Sequence, residues 1–399
     1  MWTHLRQYPL IHQLGISQIF AYGALFYAFA SIKTPLADWA QTSEQAIVNG
    51  LSLAFLIKAF SAPWVGKAVD QFGAVSVLGF GLLVGGLGFA LLTVIPDIRW
   101  IWLCLFMIAI GYSMATYEVA FGAAVQYQEV TARLNISVIT FYGGVASSCT
   151  WLAMGVLLPS LGLVGTTWLV GLVLMVFGVH FTRCKVGKPV RSGPLPGFQW
   201  SGLSRPERRA LCVLSSVGTL DEIVFGAVTL LFITWFLDSG FSLQVAVVLA
   251  AIYGPFQVLG RLLEMRFGQQ VDARITGLFA VTGVPLSLLI LWWAGDSLEG
   301  VALAMALFGM ANGVITVTNG YIVNMYFRAS VYGRAKGLIT VPKSLGSAAG
   351  PAIGVYVYGL VSESMFVWMA ALGFVAALTF VLLLRTPIRS DLPVSSERA

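Results

Sequence analysis

Apolar stretches of about 20 residues alternate along the chain with short polar connections, and each is long enough to cross roughly 30 Å of hydrocarbon as a helix. They fall at about 12–32, 46–65, 74–95, 100–125, 135–158 and 162–182, and again at about 211–237, 243–266, 274–295, 299–325, 337–360 and 364–385. The pattern predicts an all-α membrane protein with twelve transmembrane helices. Only residues 183–210 depart from it. There the stretch RCKVGKPVRSGPLPGFQWSGLSRPERR holds seven basic residues, one acid, four prolines and four glycines, the composition of a polar linker. The expected organisation is therefore a six-helix bundle over 1–182, a cytoplasmic basic linker over 183–210, and a second six-helix bundle over 211–399 that ends in a short cytoplasmic tail.

Composition supports this. Of the 399 residues 58% are hydrophobic and only 10% charged, where a soluble domain carries about 25% charged residues. Among the 23 basic residues, Lys33 and Arg99 lie in outer connections and Lys58, Arg261 and Lys343 within the spans; the other 18 lie on the inner side. The outer loops collect acids instead: Asp38, Glu44, Asp97, Asp238, Asp296, Glu299 and Glu363. Retention of lysine and arginine on the cytoplasmic side then places both termini inside, as expected of a bacterial inner-membrane protein. The opening WTHLRQYPLIHQ lacks a small-residue cleavage site, so the first span reads as retained.

Neither the cysteines (Cys104, Cys149, Cys184, Cys212) nor the histidines (His4, His12, His180) show metal-ligand spacing, so no metal, disulfide or cofactor is expected. A phosphate loop of the form G-x-x-x-x-G-K-[ST] is missing, which disfavours a nucleotide-driven pump. The expected partners are the lipid bilayer, a small anionic molecule and protons; no nucleic acid is expected, and the chain is read as a monomer.

The halves look related. GKAVDQ (66–71) follows the second span and GQQVDA (268–273) the eighth, sharing G-x-x-V-D at a displacement of 202 residues. Ile139-Thr140 in the fifth span matches Ile339-Thr340 in the eleventh at 200. Internal repeats of this kind build many transporters. With the basic central loop and GKAVDQFG, which looks like a G-x-x-x-D-x-x-G signature, the chain resembles the major facilitator superfamily over essentially its whole length. The resemblance implies two six-helix bundles working by alternating access, with Asp70 latching the cytoplasmic ends and Gly66, Gly73 and the second-copy Asp272 in the same gating role. This copy is degraded, since Gln71 stands where an arginine is usual. The alternative is that Gly66 and Gly73 only turn a tight loop.

Seven ionisable residues remain within spans: Lys58, Arg261, Lys343, Glu118, Asp221, Glu222 and Glu264. A charge at the bilayer centre costs roughly 2.5–3.5 kcal/mol on insertion scales, so such residues usually face a bundle interior or a water-filled cavity. Lys343 lies six residues beyond Gly337, about 9 Å into its helix at 1.5 Å per residue; Arg261 and Lys58 reach similar depths. Gly346, Gly350 and Gly354 recur every four residues, giving a face small enough for close helix contact, and Pro342 frees a backbone carbonyl. A bent, closely packed helix presenting a cation suits an anion site. Against this, a lysine stem can snorkel to the interface, and Arg261 can pair with Glu264 at i+3.

An arginine in the eighth span with a lysine in the eleventh is similar to the oxalate/formate antiporter group, and the arginine is also similar to that of monocarboxylate porters. Those groups bind carboxylates, which implies that role for Arg261 and Lys343; Gln257 stands where monocarboxylate porters carry an aspartate. Asn312, Thr316 and Asn319 share one helical face, as do Gln18 and Tyr22, and both strips either contact substrate or hydrate a cavity. Glu118, Asp221 and Glu222 are the proton-coupling candidates, because removal from water beside a like charge favours the neutral acid. Salt bridges to Lys58, Lys343 or Arg261 are the other reading of these acids.

The expected function is secondary active transport of a small organic anion, proton-coupled or by exchange. Export of drugs or of a polycarboxylate siderophore is the alternative, and ITFYGGVASSCTWLAMG lacks the glycine-proline pair common in proton-coupled drug exporters. A transporter-shaped sensor or lipid-handling protein is a third class; nothing supports an enzyme.

Overall fold

A computed structural model describes residues 9–184 and 200–390 apart from Leu230 and Asp296. His4, Asp296, linker residues 185–199, the tail from 391 and the side chain of Glu363 lie outside what it describes. The described residues are helical, without a strand. In order they form α1 (Pro9–Tyr22), a π-helical turn (Gly23–Tyr27), α2 (Phe29–Trp39), α3 (Glu44–Phe72), α4 (Ala74–Leu91), α5 (Ile98–Ala115), α6 (Tyr117–Tyr127), α7 (Ala132–Gly144) and α8 (Ala146–Arg183). There follow α9 (Arg205–Thr229), α10 (Phe232–Asp238), α11 (Leu243–Phe267), α12 (Ala273–Ala294), α13 (Leu298–Tyr326), α14 (Tyr332–Val361) and α15 (Met365–Leu384).

Helices start where a short polar side chain accepts a first-turn N–H: Ser43 for α3, Asp97 for α5, Ser242 for α11 and Ser297 for α13. At α9, Ser204 and Glu207 bond each other's backbone N–H in a capping box. Among the described residues ten helices are long and apolar enough to cross a membrane, or eleven if the bent pair α1–α2 is one span. The fifth and sixth expected runs merge in that count. Between them α8 is non-helical at Gly162 (φ 66°, ψ −179°), a backbone that glycine adopts without strain. The all-helical architecture is the one expected, and twelve spans are consistent with it.

The second run reaches farther than its hydropathy suggests. Because α3 continues to Phe72, Gly66 and Asp70 sit on helix, and only Gly73, at φ 86°, turns the chain into α4. Four expected runs are interrupted: the first by the π turn, the fourth at Thr116, the fifth at Val145 and the seventh between α9 and α10. Irregular backbone at membrane depth survives only where protein buries it or it lines a water-filled cavity, so these breaks mark where to look.

The described residues form two compact units, residues 9–184 with Arg328–Gly337, and residues 200–327 with residues 338–390. In the first, Gly79 and Gly86 on α4 meet Gly178 and Gly171 on α8 so closely that a Cβ at any of them would press on the facing backbone. In the second, Gly346, Gly350 and Gly354 of α14 lie against α9, where a Cβ would come 2.6–2.8 Å from the carbonyl oxygens of Thr219, Ile223 and Ala227. Without a hydrophobic drive between helices in lipid, such small-residue contacts supply the packing.

Candidate functional site

In the second unit the close contact of α9 and α14 sets two charged side chains face to face. Lys343 Nζ lies 3.2 Å from Glu222 Oε1, and the two side chains keep 27% and 23% of their exposure. The lysine stem passes over Gly218, one turn before Glu222, where a Cβ would stand 3.6 Å from Lys343 Cδ. Asp221, the next residue, is half-buried. Of the charges singled out from the sequence, this pair is brought into direct contact.

Elsewhere in that unit the polar residues turn to their own helices. Asn312 Nδ2 donates to the Phe308 carbonyl at 3.0 Å and Thr316 Oγ1 to the Asn312 carbonyl at 2.9 Å. Gln257 donates to the Tyr253 hydroxyl one turn back, and Asn319 is half-buried on the same helix as Asn312. Arg261 and Glu264 are buried on α11, where Gly260 and Gly313 admit the close approach of α13.

In the first unit Lys58 Nζ lies 4.1 Å from the centroid of the Tyr112 ring, a cation–π contact. Helices α3 and α5 are tied beside it by Ser61 and Ser113, whose hydroxyls are 2.9 Å apart. Tyr22 packs at 4.7 Å on Tyr117 and edge-on at 5.8 Å to Tyr112. Gln18 is fully buried, and its Nε2 donates at 3.0 Å to the Ala115 carbonyl, freed by the break at Thr116. It braces that break, and its Oε1 has no hydrogen-bond partner among the described residues. Glu118 stands in the first turn of α6, accepting from Thr116 Oγ1 at 3.4 Å, where the helix dipole favours a negative charge.

The signature aspartates differ. Asp70 has no exposed surface and accepts from the Gly333 and Arg334 N–H groups at 2.8 and 3.1 Å and from Arg334 Nε at 2.8 Å. The carboxylate thus caps the start of α14, and the backbones of Gly66 and Gly333 touch because neither has a side chain. Asp272 caps its own helix α12 and pairs with Arg274 at 2.6 Å, with 30% of its side chain exposed.

Sequence reasoning missed Arg334, Tyr112 and Tyr117. It also missed that GISQIFAYG (15–23) matches GTLDEIVFG (218–226) at a displacement of 203, which aligns Gln18 with Asp221 and Tyr22 with Phe225. The four cysteines are unbridged. Among the described residues no group of His, Cys, Asp and Glu is arranged to hold a metal ion.

In sequence, no family model and no curated protein matches the chain. In structure it is similar to the human organic anion transporter MFSD10 (TETRAN), with a TM-score of 0.73 and 14% identity over 93% of this chain and 98% of that one. The E. coli fucose:proton symporter FucP gives 0.71 and 12% over 93% and 97%. The proton:xylose symporter XylE, a major facilitator superfamily protein, gives 0.69 and 11% over 95% of each. The fold of this chain is that of the major facilitator transporters.

Proposed function

We propose that the chain belongs to the major facilitator superfamily and is a secondary transporter that moves a small organic anion of the carboxylate type by alternating access. The observation that carries this reading is the Lys343–Glu222 pair, a partly exposed ion pair at membrane depth with a second acid, Asp221, adjoining. A carboxylate entering the second unit competes with Glu222 for the ammonium. Once displaced, Glu222 stands unpaired beside Asp221, and taking up a proton relieves the repulsion. Anion and proton then load together; exchange follows when a second anion replaces the first.

The named activities of the structural neighbours, an organic anion transporter and two proton symporters, support this reading; the sequence placement of Arg261 and Lys343, which resembles that of oxalate/formate antiporters, is in line with it. Arg261 and Lys58 add positive charge, while Tyr22, Gln257, Asn312, Thr316 and Asn319 supply polar and ring contacts. Asp70 with Gly66 and Gly73 gates, Asp272 is the second-copy counterpart, and Glu118 is a further proton-coupling acid. The bundles 1–182 and 211–399 act as the moving halves of a monomer whose termini face the cytoplasm.

The test is Lys343→Met in purified, monodisperse protein. Losing a charge-assisted hydrogen bond of about 1.5–3 kcal/mol weakens carboxylate binding ten- to a hundredfold. Lys343→Arg recovers only part, since a planar fork replaces a point charge. Glu222→Gln abolishes proton-driven accumulation and spares exchange of pre-loaded anion. A folded Lys343→Met protein with unchanged affinity across a carboxylate panel overturns the reading.

A further inference from the structure

Two backbone irregularities of the first unit converge on one cluster of rings. The π turn at Gly23–Tyr27 carries Phe26 and follows Tyr22 directly; the break at Thr116 carries Tyr117 and follows the turn bearing Tyr112. Gln18, one turn before Tyr22, bonds the Ala115 carbonyl and so joins the two irregularities. Phe26 lies parallel to Tyr112 at 5.9 Å and 12°, Tyr22 bridges Tyr112 and Tyr117, and Tyr117 stacks on Phe121 at 5.1 Å and 13°. Phe26 stays 40% exposed although the backbone of both irregularities is buried, with Leu25, Ala115 and Thr116 at 0%. Lys58, held over Tyr112, sets a positive charge against the same rings.

We propose that this cluster is a subsite for the aromatic ring of the transported anion, so that the substrate class is an aryl-bearing carboxylate. The ring enters against Phe26 and Tyr22, where edge-to-face and offset contacts add to burial, and Lys58 faces both its π surface and its negative charge. The inference rests on the reading that the cargo is an anion, whose charge Lys58 of this same unit faces, and the ring contacts do not depend on it.

The experiment measures binding of phenylacetate, cyclohexylacetate and neutral benzyl alcohol to the full chain in detergent by calorimetry. It uses the wild type, Phe26→Leu and Tyr112→Phe. Phenylacetate should bind about tenfold tighter than its saturated counterpart, the preference should vanish in Phe26→Leu, and Tyr112→Phe, which keeps the ring, should retain it. Equal binding of the two acids to the wild type overturns the subsite and leaves the anion reading standing. If neither acid binds while benzyl alcohol does, and Phe26→Leu abolishes that binding, the subsite stands and the anion reading falls. No binding by any of the three overturns both.

Discussion

GISQIFAYG, on α1 and the start of the π turn, and GTLDEIVFG on α9 occupy equivalent places in the two units, and their glycines face equivalent neighbours. Gly15 faces Tyr142 and Gly23 faces Thr150; Gly218 faces Lys343 and Gly226 faces Gly350 and Pro351. Between the glycines the chemistry diverges. In the first unit Gln18 is neutral, buried and spent on a backbone carbonyl, whereas its counterpart Asp221 adjoins an acid paired with a lysine. The first unit's own charges, Lys58 and Glu118, sit on other helices. A Cβ at Gly15, Gly23 or Gly226 would stand 2.3–3.0 Å from a neighbour, so helix crossing fixes these three, while at Gly218 it would meet the Lys343 stem at 3.6 Å; charge is left free to differ. At this equivalent position the two halves therefore present different chemistry, a neutral amide beside a tyrosine in one and a pair of acids beside a phenylalanine in the other.

The widest expected gap is between the signature aspartates. Asp70→Asn strips a buried carboxylate from Arg334 and two N–H groups and should cost about 3–5 kcal/mol. Asp272→Asn should cost under about 1 kcal/mol, since its pair is partly exposed and Arg274 also bonds the Leu383 and Thr386 carbonyls. Denaturation midpoints in detergent decide; equal losses would erase the contrast.

A smaller gap separates the glycines. At Gly15 a methyl runs into the Tyr142 ring, whereas at Gly218 it meets the Lys343 stem at ordinary contact distance. Gly15→Ala should destabilise by about 1–3 kcal/mol and Gly218→Ala should leave the melting temperature nearly unchanged. Equal losses, or the reverse order, would show that the room beside each glycine does not set the cost.

The least effect is expected at Gln18. Gln18→Leu removes one hydrogen bond worth about 1 kcal/mol and should leave carboxylate affinity as it was. A tenfold weaker affinity at unchanged stability would return Gln18 to the substrate and narrow the difference between the units.

Much of this architecture was legible beforehand because spans are written in hydropathy, and the G-x-x-V-D copies and the Ile-Thr pairs kept one register. Lys343 stood out as a cation in a glycine-rich helix. A salt bridge to the acids Asp221 and Glu222 was one of its two readings, but the choice of Glu222 depends on the rotation of α9 about its axis. The partner of Asp70 was hidden for a similar reason: Arg334 is 264 residues away, and two of the three donors are backbone N–H groups that no side chain announces. The break at Thr116 left no glycine or proline at the break itself, and the π turn after Tyr22 opens on Gly23, one glycine among 43 in the chain. Hydropathy runs unbroken through both, so tertiary contacts alone reveal them.

The break at Thr116 has one more consequence. A continuous helix unzips from its ends, where hydrogen bonds lack neighbours to hold them. Interrupting the ladder creates two extra ends at mid-depth, and α5 and α6 become separately cooperative segments. Breathing of α6 need not spread to α5. The carboxylate of Glu118, in the first turn of the shorter segment, can thereby shift locally while α5 keeps its register.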